Sequence, residues 1–158
     1  MTILLALLLQ ADTIKWPLRP EAEKLATTIN SYRKQNNVKP LPTCDTLNMV
    51  ASIHVAHIMA FDNCNLWSWD SGPAWSSYGC VTDTSSPVMT SKPYEIARMK
   101  SKGYEMVHMH EDDSECSYNC AFWSFMKYPL FKSMLLGRWR KMGISVFRRA
   151  ASVWFTAD

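Results

Sequence analysis

Met142-Gly143-Ile144-Ser145-Val146-Phe147 and Ala150-Ala151-Ser152-Val153-Trp154-Phe155 lie near the end of the chain, on either side of Arg148-Arg149. Residues 144–147 and 151–155 are mostly apolar, with β-branched and aromatic members. This pattern predicts two strands joined by a turn at the two arginines. Upstream, apolar residues recur at helical spacing and predict a first helix over Glu21 to Lys34. A second helix is predicted from Asp45, as its N-cap, to about Phe61.

Between these ends the pattern is mixed. Residues 62–93 have a loop-like composition, and a short third helix is predicted over Pro93 to Lys102. A strand is predicted to start at Gly103, followed by an acidic loop from Glu111 to Glu115. Residues 119–136 read as helical, with a break at Pro129. Helices on both sides of a few strands predict an α+β fold, with the helices packed on a small, mostly antiparallel sheet.

Length and composition indicate one folded domain, over residues 20–156. The chain has 158 residues, enough for a sizeable core, and its seven Trp argue against a disordered chain. The net charge of +3 is weak. No aromatic-interleaved basic repeat is present, so we expect no nucleic-acid partner. The basic residues are expected to form a solvated rim; they are Arg138, Arg140, Lys141, Arg148 and Arg149.

The first twelve residues contain a short apolar run, Ile3 to Leu9. The run is too short to span a bilayer as a helix. It is predicted to be a secretory signal cleaved near Ala11, although only Met1 and Thr2 precede it. The alternative is an apolar N-terminal arm that stays attached and docks on a partner chain. A secreted, extracellular location follows from the first interpretation.

Five cysteines leave at least one thiol unpaired within the chain. In an oxidising compartment we expect two disulfides and one free thiol. Cys64 and Cys80 flank a Trp-rich loop and are the favoured pair. Cys116 and Cys120 close a small ring or pair elsewhere, which leaves Cys44 as the candidate free thiol. Zinc binding by the last two cysteines with His108 and His110 is the competing interpretation, but the spacing matches no common zinc finger, so no metal is predicted.

Several short motifs, taken in order, resemble the CAP superfamily (cysteine-rich secretory protein, antigen 5, pathogenesis-related 1), also called the SCP domain. The resemblance covers about Glu21 to Phe155 and implies a three-layer α-β-α sandwich. The motifs are Asn30-Ser31-Tyr32-Arg33, Val38-Lys39-Pro40-Leu41, the helix with Leu47, Ala51, His54 and Met59, Cys64-Asn65-Leu66-Trp67-Ser68-Trp69, Lys92-Pro93-Tyr94-Glu95, Gly103-Tyr104-Glu105, Met142-Gly143-Ile144 and Val153-Trp154-Phe155.

The resemblance also implies a surface cavity that gathers two His and one or two Glu. In this chain the first His position falls at Trp67 and the second at Phe131. One carboxylate position is kept as Glu105, and the other falls near Tyr128. Trp and Phe carry no metal-binding nitrogen and no proton near neutral pH. The cavity is therefore expected to have lost its metal and acid–base chemistry, and no cofactor is predicted.

The remaining polar residues have structural interpretations. Glu105 is expected to accept hydrogen bonds from backbone amides, because a lone buried charge is costly. His54 is expected in the core and His57 at its edge. His108 and His110 are expected to belong to a solvated acidic loop.

These features favour a secreted, non-catalytic CAP-like protein that binds a protein partner or assembles with itself. Its candidate binding surface is a group of loop aromatics, because exposed aromatics are enriched in interfaces: Trp67, Trp69, Trp75 and Tyr78. A lipid or sterol carrier is the first alternative, an activity that the resemblance implies for some members. A metal-dependent hydrolase centred on Glu105 is the second.

Overall fold

The computed structural model describes residues 15–61, 89–90, 96–100, 103–110 and 115–157. Helices and strands follow in the order α1 (Pro20–Gln35), α2 (Asp45–Phe61), β1 (Met89–Thr90), β2 (Gly103–Met109), α3 (Tyr118–Met126), α4 (Pro129–Leu135), β3 (Lys141–Phe147) and β4 (Ala150–Thr156). The first two helices and the two final strands are confirmed within a few residues.

The break predicted at Pro129 separates α3 from α4. Pro129 is the first residue of α4, a position where a backbone N–H has no partner within the helix, so the missing N–H of proline costs no hydrogen bond. Ser117 caps α3 by accepting a hydrogen bond from the Cys120 amide at 3.2 Å. Half of the predicted third helix (93–102) lies outside the described residues; in the described half only residues 96 and 97 are helical, so the helix does not continue to residue 102 as predicted. Of the acidic loop (111–115), only Glu115 is described.

The four strands form one antiparallel sheet in the order β1-β2-β4-β3. β3 and β4 form the hairpin predicted at the two arginines, with Phe147 paired with Ala150. Arg148 has a φ of 51°, the left-handed conformation that a tight two-residue hairpin turn requires. β4 lies between β2 and β3, and every one of its seven residues is buried.

Alternation along the strands separates two apolar faces. One face carries Met106, Ile144 and Val153 and packs with residues of α1, α3 and α4 in the larger core cluster. The other face carries Val107 and Trp154 and packs against α2. The molecule is therefore an α+β protein with the predicted three-layer α-β-α sandwich.

Polar side chains fix α1 in its layer. Asn30 donates to the Leu41 carbonyl at 2.9 Å and accepts from the Leu41 amide at 2.8 Å. The buried guanidinium of Arg33 donates to the carbonyls of Lys39, Leu135 and Gly137 at 2.8, 2.6 and 3.1 Å. Three backbone carbonyls thus accept the hydrogen bonds of the buried Arg33 guanidinium, and none of these partners is a carboxylate. These two residues belong to the Asn30–Arg33 motif that the sequence analysis singled out.

On the opposite face, α2 lies unusually close to β3. A methyl group on Gly143 would collide with the backbone carbonyl carbon and the Cβ of Leu47. Asn48 reinforces this approach by accepting a hydrogen bond from the Ile144 amide at 3.0 Å. The absence of a side chain at residue 143 is therefore what allows the helix to reach the sheet.

We expect Gly143→Ala to lower the free energy of unfolding by about 1–3 kcal/mol, because the added methyl group overpacks a backbone contact that cannot easily move. Urea unfolding followed by circular dichroism measures this loss. Ser133→Ala is the control, since this side chain is exposed on α4 and its loss is expected to change the free energy of unfolding by no more than about 0.5 kcal/mol. Equal losses in the two variants would show that the close approach of α2 to β3 is not the limiting contact.

Candidate functional site

Glu105 lies on the face of β2 that meets α2, and it is 2% exposed. Its Oε1 atom lies 2.5 Å from Nδ1 of His54 on α2 and accepts a hydrogen bond from Oγ of Ser152 on β4 at 2.6 Å. Side chains, rather than the backbone amides expected from the sequence, are therefore its partners. The three residues connect one helix and two adjacent strands through a single oxygen atom.

The two histidines of α2 are both buried. His54 is in the core as predicted, whereas His57 is only 2% exposed and does not lie at the core's edge. The difference follows from the helical period, since α2 packs on β3 and β4 along much of its length and residues three apart share a face.

The sheet separates the residues that the resemblance placed in one cavity. Phe131 is 1% exposed and belongs to the core cluster that contains Met106, on the face opposite Glu105. Tyr128 is half-buried and packs against Phe131, with ring centroids 5.7 Å apart. The structure thus brings Tyr128 and Phe131 together but does not bring either of them to Glu105. Trp67 lies outside the described residues.

The candidate binding surface of loop aromatics also lies outside the described residues; its members are Trp67, Trp69, Trp75 and Tyr78. The same holds for Cys64 and Cys80, the favoured disulfide pair. That surface and that disulfide therefore remain predictions.

Cys44, Cys116 and Cys120 are free thiols, so the small ring predicted between Cys116 and Cys120 is wrong. Cys116 is buried and points towards the Ser117 carbonyl at 3.6 Å. Burial raises the pKa of its thiol to about 12. Cys120 instead lies beside His110, with Sγ 2.8 Å from Nε2.

His108 and His110 were expected in a solvated loop, but His108 is 7% exposed and packs edge-on against Phe125 at 6.5 Å between centroids. Burial, together with the positive charges of His110 and Lys127, lowers the pKa of His108 to about 4. His108 is therefore neutral at pH 7. Within the described part of the chain, His108, His110 and Cys120 form the one group of side chains placed to share a metal ion.

A groove runs between the N-terminal segment, α2 and β3, with a volume of about 700 Å³. Residues 15–20 form one wall, and Ile53, Ala56 and Val146 contribute to the others. Trp16 fixes the segment to α2 by donating from Nε1 to Ser52 Oγ at 3.0 Å, and its carbonyl accepts from Asn48 at 3.1 Å. The sequence analysis did not find this groove, because it depends on where the segment before α1 crosses α2.

No family model and no curated protein matches this sequence. Solved structures match its fold. A cysteine-rich secretory protein from Staphylococcus aureus aligns with a TM-score of 0.63 at 17% identity, over 90% of this chain and 41% of that one. An outer surface protein from Borrelia burgdorferi aligns at 0.65 and 15%, over 89% and 95% of the two chains. An extracellular protein containing an SCP domain from Bacillus anthracis aligns at 0.65 and 13%, over 90% and 45%.

These alignments confirm that the chain has the SCP fold. The chain spans less than half of the staphylococcal and Bacillus proteins but nearly the whole of the Borrelia protein. At such low identities the likeness shows the fold alone. Among the described residues, no helix is both long enough and apolar enough to cross a membrane.

We expect Glu105→Ala to lower the free energy of unfolding by about 3–5 kcal/mol, because it leaves His54 and Ser152 buried without their shared acceptor. Chemical denaturation measures the change. Glu23→Ala is the matched control: this carboxylate is exposed in the first turn of α1, and its loss is expected to cost no more than about 0.5 kcal/mol. If the two variants were equally stable, Glu105 would have no role in holding α2 to the sheet.

Proposed function

We propose that this chain is a secreted binding protein that uses the SCP fold without metal or acid–base chemistry at the family's cavity. The observation that carries the proposal is the burial of Glu105, whose Oε1 already interacts with His54 and Ser152. A general base must reach a substrate proton within hydrogen-bond distance, and a carboxylate that is 2% exposed does not meet a substrate. A hydrolase centred on Glu105 is therefore disfavoured.

The aromatic residue at the second His position supports the same conclusion. Phe131 packs against Phe125 with ring centroids 5.8 Å apart and fills space in the core. An apolar ring at this position contributes packing and supplies no ligand atom. The extracellular proteins among the structural neighbours support secretion.

The working surface that we assign to this protein is the groove beside α2, and its occupant is a protein partner. Trp16 and Phe147 are 41% and 38% exposed, although both rings are large and apolar. Arg19 and Arg148 lie over the Phe147 ring, 4.8 and 5.4 Å from its centroid. Exposed aromatic rings beside arginines are the composition of interface hot spots. The partner that fits is a segment with apolar side chains flanked by carboxylates.

A photo-cross-linking amino acid at Ala56, which is exposed on α2 and lines the groove, tests this proposal in the secretions of the source organism. We expect a saturable protein adduct that excess unmodified protein displaces and that excess Ala56→Tyr protein, whose groove is filled, does not displace. The matched control carries the same cross-linker at Thr27, which is exposed on α1 away from the groove. Equal adducts at both positions, or none at residue 56, would contradict a partner-binding groove.

Carriage of an apolar ligand is a second candidate function, and the groove's size favours it. Its volume of about 700 Å³ lies within the range typical of small-molecule sites, roughly 300–1,000 Å³. The lining residues Ile53, Val55 and Ile144 are apolar, and Lys15 also lines the groove. A long-chain fatty acid fits this arrangement, with its carboxylate near the lysine.

Fluorescence titration with a polyene fatty acid and with a fluorescent sterol distinguishes the two functions. If the protein is a carrier, we expect saturable binding of one probe, weakened about tenfold or more by Ala56→Tyr and unchanged by Thr27→Tyr, since filling the groove removes its apolar contacts. No saturable binding of either probe would rule out the carrier and leave the protein partner as the groove's occupant.

A further inference from the structure

His108, His110 and Cys120 converge at one end of the sheet, on the face away from Glu105. His108 is in β2 and His110 follows the strand, so their side chains are two residues apart and share a face. Cys120 comes from the first turn of α3, which Ser117 caps. All three potential ligand atoms lie within 4.8 Å of one another.

The distances between these atoms are close to those around a tetrahedral metal ion. Zinc bonds of about 2.3 Å to sulfur and 2.0–2.1 Å to nitrogen give sulfur–nitrogen edges of about 3.6 Å. Cys120 Sγ lies 4.0 Å from Nε2 of His108 and 2.8 Å from Nε2 of His110. One edge is slightly long and the other is short, so a small rotation of the Cys120 and His110 side chains equalises them. Both of these side chains are half-buried, which gives an ion a route of entry.

A simple thiol–imidazole hydrogen bond accounts for His110 and Cys120 but not for His108. The His108 ring is buried beside them, 4.9 Å from the His110 ring between centroids. Its Nε2 atom faces Cys120 Sγ at 4.0 Å, so one sulfur atom faces a ring nitrogen of both histidines. Two imidazoles facing one thiol, with one of them sequestered from water, are more typical of a metal site than of a hydrogen bond.

We infer that His108, His110 and Cys120 bind a zinc ion, with the fourth coordination position open to solvent. Two imidazoles and a thiolate are donors that zinc accepts, whereas magnesium and calcium require oxygen ligands. The bound ion would connect the end of β2 to the first turn of α3. This site is separate from the proposed function, because none of the three residues lines the groove beside α2. The spacing of the two cysteines and two histidines in the sequence matched no common zinc finger. In the structure Cys120 lies beside the histidines, and Cys116 does not belong to the group.

Zinc titration of the chelator-treated full chain, with competition from a chromophoric chelator, tests this inference. We expect one zinc ion per chain, and cobalt(II) substituting for zinc with a thiolate charge-transfer band in the near ultraviolet. Cys120→Ser and His110→Gln are each expected to weaken zinc binding by about 100-fold or more, because the loss of an outer-shell partner alone costs about 10- to 100-fold. Cys44→Ser is the matched control and is expected to leave the affinity and the cobalt band unchanged.

Alkylation by iodoacetamide, mapped by peptide mass spectrometry, keeps the test decisive if a variant does not fold. In the unmodified chain we expect zinc, but not magnesium, to protect Cys120 from alkylation. Absence of zinc binding, or zinc binding that leaves Cys120 as reactive as before, would overturn the inference. The same holds for binding that survives both Cys120→Ser and His110→Gln, which would place the metal at other residues.

Discussion

A single carboxylate oxygen of Glu105 holds α2 against the sheet, and much of the fold depends on that contact. The oxygen interacts with His54 on the helix and Ser152 on the central strand, away from water. A buried charge of this kind is tolerated only while its hydrogen bonds are made. The helix must therefore stay close to the sheet, and close packing against β3 is possible because residue 143 is glycine. The polar contact and the glycine thus impose the same geometry.

In the opposite layer, α1 is held in place by a buried cation rather than by a buried carboxyl group. Arg33 is buried on α1, and three backbone carbonyls rather than a carboxylate satisfy it. Those carbonyls belong to the loop after α1 and to the end of α4 with the loop that follows it. One side chain therefore joins α1 to the loop that follows it and to the end of α4. Two buried charged groups, one on each face, hold the two outer layers of the sandwich to the rest of the chain.

Periodicity and turn chemistry were sufficient to predict the elements and the α+β class. The helical spacing in α1 and α2, Pro129 between α3 and α4, and the β-branched hairpin around Arg148 are local signals, and the structure has each of these elements. The contacts of the site residues were less predictable. A motif gives a residue's position along its strand, but it does not show which residues of other elements pack against that face of the strand. Glu105 was expected to accept hydrogen bonds from backbone amides, yet the partners of its Oε1 are side chains of residues 51 and 47 positions away. The groove and the His108–Cys120 cluster likewise depend on contacts distant in sequence.

The free thiols bear on the proposed secretion of this chain. Exposed thiols are vulnerable in an oxidising compartment, where most cysteines pair. Cys116 is protected by burial, which keeps its thiol protonated. Cys120 has no such protection, since it is only half-buried beside the His110 imidazole, with Sγ 2.8 Å from Nε2. A bound zinc ion removes this vulnerability by occupying the sulfur, and it adds a connection between β2 and α3 where no disulfide forms. The proposed secretion and the proposed zinc site are therefore compatible.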